Sequence, residues 1–491
     1  MDHSQHHPLR VLFLTAEFDP YAKVGGLGDY SGSLPRSIKV LGAARNRPVD
    51  IRVAIPYHGL FHPRLPQYKK SADITVDIGK AEAHGSAYEF IHEDVPLYLI
   101  RRSGKAAGYH AIYNRTQLDD ARKFVFLSLA IADLVKKLGW MPDVVHANDW
   151  HTALSLHYLA DLRKKNQLFR SIKLLQVIHN MPYLGEGSRG VMKKFGIRPV
   201  KSDLIPEWAN FLPLPMGLVS ADWIATVSPS YAKELTTKKF SSGLAEFFLA
   251  NRDKTTGILN GIDTTIWDPE YDPLIPRQFS ATSLGNRQTN KEAILNDLGL
   301  KIEGRKPLLV FISRLTPQKG VDIILESLPK LLDLDWNAVI LGCGDKELET
   351  GLSSFEAAHP DRFRAILEFN NAMAHKLYAA GDILLMPSRY EPCGLSQMIA
   401  MRFGCIPVAS AVGGLKDSIL PSDQSNGTGY LFEGSDENSL IPCLRKALLD
   451  YQNEKKWSQM QQRAMDKDFS WTRSAGQYID LYSQLSRTFQ E

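Results

Sequence analysis

Short apolar runs, each closed by a polar or glycine-bearing segment and spaced by stretches of helical periodicity, recur along the whole of this sequence. A strand buried on both faces reads as a near-continuous apolar run, and parallel neighbours need a helical crossover, so the pattern predicts parallel α/β layers. Strands are expected at Val11–Leu14, Ile51–Ile55, Val95–Ile100, Val144–His146, Leu174–Ile178, Trp223–Val227 and Thr256–Leu259. From Asp263 to Ser283 the alternation stops, three prolines intervene (Pro269, Pro273, Pro276), and the stretch reads as a linker. Alternation resumes at Pro307–Ile312, Ala338–Leu341, Ala365–Phe369, Ile383–Met386 and Ile406–Ala409. A chain of 491 residues is too long for one hydrophobic core. The expected fold class is therefore α/β with two Rossmann-like, doubly wound domains: 1–265, a linker at 266–290, 291–465, and a closing segment 466–491.

Composition narrows the function classes. Hydrophobic residues at 44% and charged residues at 23% suit a folded globular protein, and 58 basic against 54 acidic side chains leave no basic footprint for nucleic acid. No apolar run approaches bilayer length, so no membrane partner is expected. The opening MDHSQHHPLR lacks the charged-then-apolar build of a signal peptide, and His3, His6 and His7 read as a frayed terminus. Cys343, Cys393, Cys405 and Cys443 form no C-x-x-C pair, which suits reduced thiols in a cytoplasmic protein and predicts no metal site. The sequons at Asn114 and Asn426 are expected to be unused.

In open parallel sheets ligands collect beyond the carboxyl ends of the strands, and two such sheets joined by a hinge would hold one in the cleft between them. The chemically interesting residues follow strands. Lys23 follows the first, Asn148 and Asp149 follow DVVHA, His179 and Asn180 follow LLQVI, and Asn260 follows TGIL. Farther on, Ser313 and Arg314 follow LLVFI, Gly342 and Gly344 follow AVIL, and Ser388 to Glu391 follow DILLM.

Three segments carry chemistry and a plainer alternative each. In FDPYAKVGGLGDYSGSLP, Lys23 and the glycines Gly25, Gly26 and Gly28 suit an anion-holding turn of bare N–H groups before a helix, or a tight turn in which glycine only supplies positive φ. The G-G-x-G spacing matches neither the dinucleotide fingerprint nor the Walker loop. In ISRLTPQKGVD, Arg314 and Lys319 suit a diphosphate, or are a solvated surface pair. In MPSRYEPCGLSQMIAMRFG, Glu391 sits at a strand-to-helix turn with Cys393, Gly394 and Leu395 beginning the helix. There it is either a dipole-capping acid or a receptor for sugar hydroxyls.

Those segments, with DVVHANDWHTAL, VIHNMPYLG, ADWIATVSPSYAKEL, GILNGIDTTIWDP, LGCGDKELE and FSWTRSAGQYIDLY, span nearly the whole chain in one order. In them the sequence resembles the starch synthases and bacterial glycogen synthases, nucleotide-sugar α-glucosyltransferases of the GT-B fold. The resemblance implies a retaining transfer of glucose from ADP-glucose (or UDP-glucose) to the non-reducing end of an α-1,4-glucan, with no cofactor. It implies that Asp149 and Glu391 contact the glucosyl unit with His179 near the reacting carbon. It implies further that Lys23, Gly25, Gly26, Arg314, Lys319, Asn260, Cys393, Gly394 and Leu395 bind the donor. The final helix, 466–491, is implied to cross back to the first domain.

Three stretches depart from the family. After Asn210-Phe211-Leu212 the usual lysine and paired glycines are replaced by Pro-Leu-Pro-Met-Gly-Leu; MPYLGEGSRGVM after His179-Asn180 is unusual; and VASAVGGL lacks the arginines that often precede its glycine pair. Two alternatives follow: a GT-B transferase with another donor or acceptor, or an inactive glucan-binding scaffold. Many GT-B transferases carry a second acid eight residues after the first, and here that position is Ile399. The intact Lys23, His179, Arg314, Lys319 and Glu391 speak against a scaffold, which needs no diphosphate clamp.

Overall fold

The computed structural model describes residues 7–59, 65–78, 81–104, 111–301 and 304–487. His3 and His6 lie outside them. Two compact units result: residues 1–261 with 471–491, and residues 262–470.

The first unit is built on a nine-stranded sheet. Its strands are β1 (Leu9–Leu14), β2 (Val49–Pro56), β3 (Lys69–Ile78), β4 (Ala81–His92), β5 (Val95–Arg102), β6 (Val144–Asn148), β7 (Lys173–Ile178), β8 (Trp223–Thr226) and β9 (Thr255–Gly257). They run in the order β3-β4-β5-β2-β1-β6-β7-β8-β9. From β5 to β9 every pairing is parallel, Val11 facing Val144 and Ile51 on either side. The central runs are apolar because both faces are covered; Val11, Phe13, Val145 and Leu175 are inaccessible to solvent. Only β3 and β4 pair antiparallel, with each other and onto β5.

That hairpin is absent from the sequence reading. KKSADITVDI and AEAHGSAYEFIH are polar, rich in alanine and interrupted by Gly85, whose missing Cβ leaves room for the Arg101 carbonyl and the Phe126 ring. The helix Trp471–Arg487 belongs to the first unit and packs along Gly26–Ala44, burying Trp471, Tyr478, Ile479 and Tyr482 in the same core as β1.

The second unit carries a wholly parallel six-stranded sheet, ordered β12-β11-β10-β13-β14-β15. Its strands are β10 (Leu308–Ile312), β11 (Asn337–Leu341), β12 (Phe363–Ile366), β13 (Ile383–Met386), β14 (Ile406–Ser410) and β15 (Tyr430–Phe432). The last was not foreseen; three residues are too few for a pattern. Residues 266–290, read from sequence as a linker, are counted in this unit. Prolines and aperiodicity there reflect irregular backbone, not looseness. Asp272 is buried and takes a 2.6 Å hydrogen bond from His375 Nδ1, and Trp267 stacks on that imidazole at 4.0 Å. No helix among the described residues is long and apolar enough to cross a membrane.

Candidate functional site

The strands deliver the expected residues to their carboxyl ends, in two separate clusters, one in each unit, each called a half-site below for its place in the proposed function. In the first, β1 runs into a turn that ends at the helix Gly26–Ala44, and residues 23–26 are exposed. The turn does not hold out bare N–H groups. Glu17, just past β1, accepts from the Val24 N–H at 2.7 Å and the Gly25 N–H at 2.9 Å through one carboxylate oxygen, while Tyr113 donates to the other at 2.6 Å. A built-in carboxylate therefore takes the place the sequence assigned to an external anion, and the loop is shaped before any ligand arrives. Lys23 Nζ is drawn to Asp29 at 2.6 Å and Asp19 at 3.3 Å. Burial works against its charge, but the two carboxylates outweigh it and raise its pKa. The tight-turn alternative fails at Gly25, whose φ of −152° is open to any residue.

Asp149 opens the helix Asp149–Lys165 with φ of +51°, left-handed backbone that a non-glycine residue adopts at a cost of roughly 1–3 kcal/mol. The conformation aims its carboxylate at the end of β7, where Oδ1 accepts from the His179 N–H at 2.7 Å and the Asn180 N–H at 3.2 Å. Burial dominates all the same, pushing the Asp149 pKa up to about 7.

The His179 ring is set by Asn148. The Asn148 amide donates to the Leu14 carbonyl at 2.9 Å, which fixes its flip and turns its oxygen to His179 Nε2 at 2.8 Å. An amide oxygen only accepts, so Nε2 carries the proton and Nδ1 is left as an acceptor. Burial holds the ring neutral, its pKa lowered to about 3. Asn260, beyond β9, is buried with Oδ1 unpartnered among the described residues.

In the second unit Lys319 closes a single turn, Pro317–Lys319, and donates to Glu391 Oε2 at 2.6 Å. Ser388 donates to the same oxygen at 3.0 Å. Glu391 is therefore no capping acid: its Oε2 is taken up by Lys319 and Ser388, and the helix that follows is Ser396–Arg402. Cys393 and Gly394 precede that helix in a turn, with Gly394 at φ +73° and Leu395 at the N-cap. The helix expected to begin at Cys393 begins three residues later, because Gly394 takes left-handed backbone that a helix cannot contain.

Gly413 and Gly414 let a second turn close over this one, since a Cβ on Gly413 would lie 2.0 Å from the Glu391 carbonyl oxygen and one on Gly414 2.2 Å from that of Cys393. Arg389 is held away by a bidentate pair with Asp322 at 2.8 and 2.6 Å. Arg314 is exposed and makes no ion pair among the described residues. The sequence reading overlooked Glu17, Tyr113 and Tyr30; for Glu17 a signal existed, an acid three residues past the end of an apolar strand.

One doubly wound sheet thus presents a buried carboxyl and a neutral imidazole at its strand ends, and the other an arginine and a lysine–glutamate pair. Comparison with known proteins identifies the family. Residues 10–250 match the family model described as the starch synthase catalytic domain, and residues 296–464 match glycosyl transferases group 1. The chain is 34% identical to glycogen synthase of Streptococcus sanguinis (strain SK36) over 484 residues, 97% of this chain and 100% of that protein. It is 35% identical to glycogen synthase of Lactiplantibacillus plantarum (strain ATCC BAA-793 / NCIMB 8826 / WCFS1) over 489 residues, with the same coverage.

Among solved structures, the catalytic domain of starch synthase IV from Arabidopsis thaliana bound to ADP and acarbose superposes with a TM-score of 0.87 at 31% identity, covering 98% of this chain and 100% of that one. Sucrose-phosphate synthase from Thermosynechococcus elongatus, with a TM-score of 0.61 at 18% identity and the same coverage, shares the fold. The chain belongs to the starch synthase and bacterial glycogen synthase family. It is a glycosyltransferase that moves a glucosyl unit from a nucleotide sugar to a glucan.

Proposed function

We propose that the donor is ADP-glucose, that transfer to the non-reducing end of an α-1,4-glucan retains configuration, and that the residues above divide the work by their chemistry. The observation that carries this reading is in the second unit: Lys319 is matched to Glu391 just past β10 and β13, and Arg314, exposed beyond β10, makes no ion pair among the described residues. Arg314 forks onto the diphosphate, and Lys319 supplies a second positive charge to its oxygens as the glucosyl bond breaks. Glu391, held by Lys319 and Ser388, accepts from sugar hydroxyls; Cys393, Gly394 and Leu395 bring backbone N–H groups to the same end. Lys23 with Gly25 and Gly26, and Asn260, contact the donor from the first unit. His179 Nδ1 accepts from a glucosyl hydroxyl, and the raised pKa of Asp149 suits it to hydrogen bonding with a hydroxyl.

A double displacement would want two carboxylates about 5 Å apart, and no motif supplies such a pair. In the step we favour, the bond from the anomeric carbon to the phosphate oxygen breaks and the acceptor oxygen bonds to the same face of that carbon. The acceptor's hydroxyl proton passes to the departing phosphate oxygen. Neither Asp149 nor His179 needs to move a proton. The ADP in the similar Arabidopsis structure supports an adenine donor, and the free thiols support a cytoplasmic site of action.

The deciding experiment incubates the protein with glycogen and either ADP-glucose or UDP-glucose, following nucleoside diphosphate release and glucan elongation. ADP-glucose is expected to support both. Preference for UDP-glucose would overturn the donor assignment, and glycogen binding without transfer from either would establish the scaffold alternative.

A further inference from the structure

His146, in the D-V-V-H run, is taken up by neither half-site, yet it sits fully buried on β6 and makes two side-chain hydrogen bonds. Its Nδ1 lies 2.7 Å from the Tyr482 hydroxyl and its Nε2 3.1 Å from the Tyr30 hydroxyl. Tyr30 stands on the helix that follows the glycine turn, and its hydroxyl donates to that of Tyr478 at 2.9 Å. Tyr478 and Tyr482 are one turn apart on the helix Trp471–Arg487.

The directions of these bonds follow from proton counting. A phenol has one proton, and that of Tyr30 goes to Tyr478, so toward His146 the Tyr30 oxygen can only accept. His146 therefore carries its proton on Nε2, and Nδ1 accepts from Tyr482. Burial keeps this ring neutral, with its pKa lowered to about 3. The chain runs from Tyr482 through His146 and Tyr30 to Tyr478, each link with a fixed donor.

The other side of the Tyr30 ring meets His179. The two rings stand edge to face, centroids 4.5 Å apart at 77°. Asn148 fixes the His179 ring at Nε2; Tyr30 limits its tilt about that bond. Phenylalanine would fill the same core without burying three hydroxyls and an imidazole, each of which must find a partner. What the hydroxyls add is orientation.

We propose that Tyr30 is a positioning residue for His179, locked by the hydrogen-bonded chain Tyr482–His146–Tyr30–Tyr478 that ties the last helix of the first unit to the reacting end of its sheet. The inference rests on the reading of His179 as a contact to the glucosyl unit. Its consequence is that residues far along the sequence set the aim of a side chain at the reacting carbon.

The test uses the full-length protein and measures kcat, donor KM and melting temperature. Tyr478→Phe and Tyr482→Phe keep volume and break one link each; they are expected to lower kcat about 10-fold, the scale on which small misplacements act, with donor KM within about twofold. Tyr30→Leu, which removes the ring, should lose about 100-fold in kcat, and Tyr30→Phe should recover part of it. Ile479→Val on the same helix is the structural control, because it loosens the core without touching the chain. It should lower the melting temperature and leave kcat alone.

Wild-type kcat in Tyr478→Phe, Tyr482→Phe and Tyr30→Phe would overturn the proposal, and so would an Ile479→Val loss as large as theirs. If Tyr30→Leu does not fold, the three phenylalanine variants decide. His179→Ala separates the layers: full activity there defeats the reading of His179, whereas an inactive His179→Ala beside normal phenylalanine variants defeats only the positioning chain.

Discussion

The two half-sites solve opposite electrostatic problems. In the first unit burial works against charge at the strand ends: it holds His179 neutral and brings Asp149 up to about 7, while Lys23 lies against two carboxylates. In the second unit charge is presented, with Arg314 exposed and without an ion pair among the described residues, and Lys319 shared with Glu391. Neutral donors and acceptors in a dry site recognise hydroxyls through direction; exposed cations recognise phosphate through charge.

The largest effect that could break this comparison is expected at Glu391. Glu391→Ala removes the carboxylate that holds Lys319 and is proposed to receive the sugar hydroxyls, and should lower kcat/KM by about 100- to 1000-fold, the scale seen when a preorganised electrostatic group is lost. Circular dichroism should stay unchanged, because little core volume goes. Turnover within tenfold of wild type would mean that the Lys319–Glu391 pair is structural and the second half-site lies elsewhere.

Next in size is a backbone effect confined to the second unit. Its turns touch each other through glycine: Gly413 at φ +42° would set a Cβ 2.0 Å from the Glu391 carbonyl oxygen, and Gly320 at φ +73° would set one 2.1 Å from that of Pro387. Gly413→Ala should therefore cost about 3 kcal/mol or more, strain and clash together, and displace Glu391 with it. Calorimetry should show the loss in the transition of the second unit; an unchanged melt would mean the turns are not in contact.

Acid sharpens the comparison from the other side. His58, His146 and His179 all lie in the first unit and have pKa values lowered by burial to about 3. Below about pH 6.5 the unfolded chain binds protons that the folded unit refuses, so stability present above that pH is lost as it falls toward 3. Asp149 acts in the opposite sense, since its pKa is raised to about 7 and its neutral form favours the folded state as pH falls. Three groups outweigh one. At pH 5 each histidine is expected to cost about 2 kcal/mol. Hydrogen exchange at pH 5 against pH 7.5 should thus weaken β6 and β7 before β10 and β13; equal weakening would remove the distinction.

How much of this could be read beforehand follows the same physics. Strands buried on both faces announce themselves, so β1, β6, β7, β10, β11, β13 and β14 were legible, as was the placing of Lys23, Asp149, His179, Arg314 and Glu391 after strands. The hairpin β3–β4, polar and rich in alanine, carries no such signature. Nor do long-range partners. Nothing near Glu17 says that its carboxylate will serve the N–H groups of Val24 and Gly25, and nothing near His146 says that Tyr482 will reach it across 336 positions. Periodicity encodes burial along one element, whereas a hydrogen bond between elements exists only once topology has joined them.

The smallest expected change is at Gly25, and it separates two reasons for a glycine. If Gly25 were conformational, as Gly413 is, alanine would strain the turn. Its φ is −152°, however, and a Cβ there meets nothing within 4 Å, so the backbone and its surroundings both accept alanine. Gly25→Ala should leave stability within about 0.5 kcal/mol, or raise it slightly by restricting the unfolded chain. What the added methyl does occupy is the exposed side of the turn, where the donor is proposed to approach. Donor KM should then rise about tenfold, equivalent to roughly 1.4 kcal/mol of lost binding, with kcat little changed. A fall in melting temperature of more than about 5 °C would make Gly25 a second Gly413 and erase the contrast between the two loops. An unchanged KM at unchanged stability would remove Gly25 from the donor's contacts and leave Lys23 to act there without it.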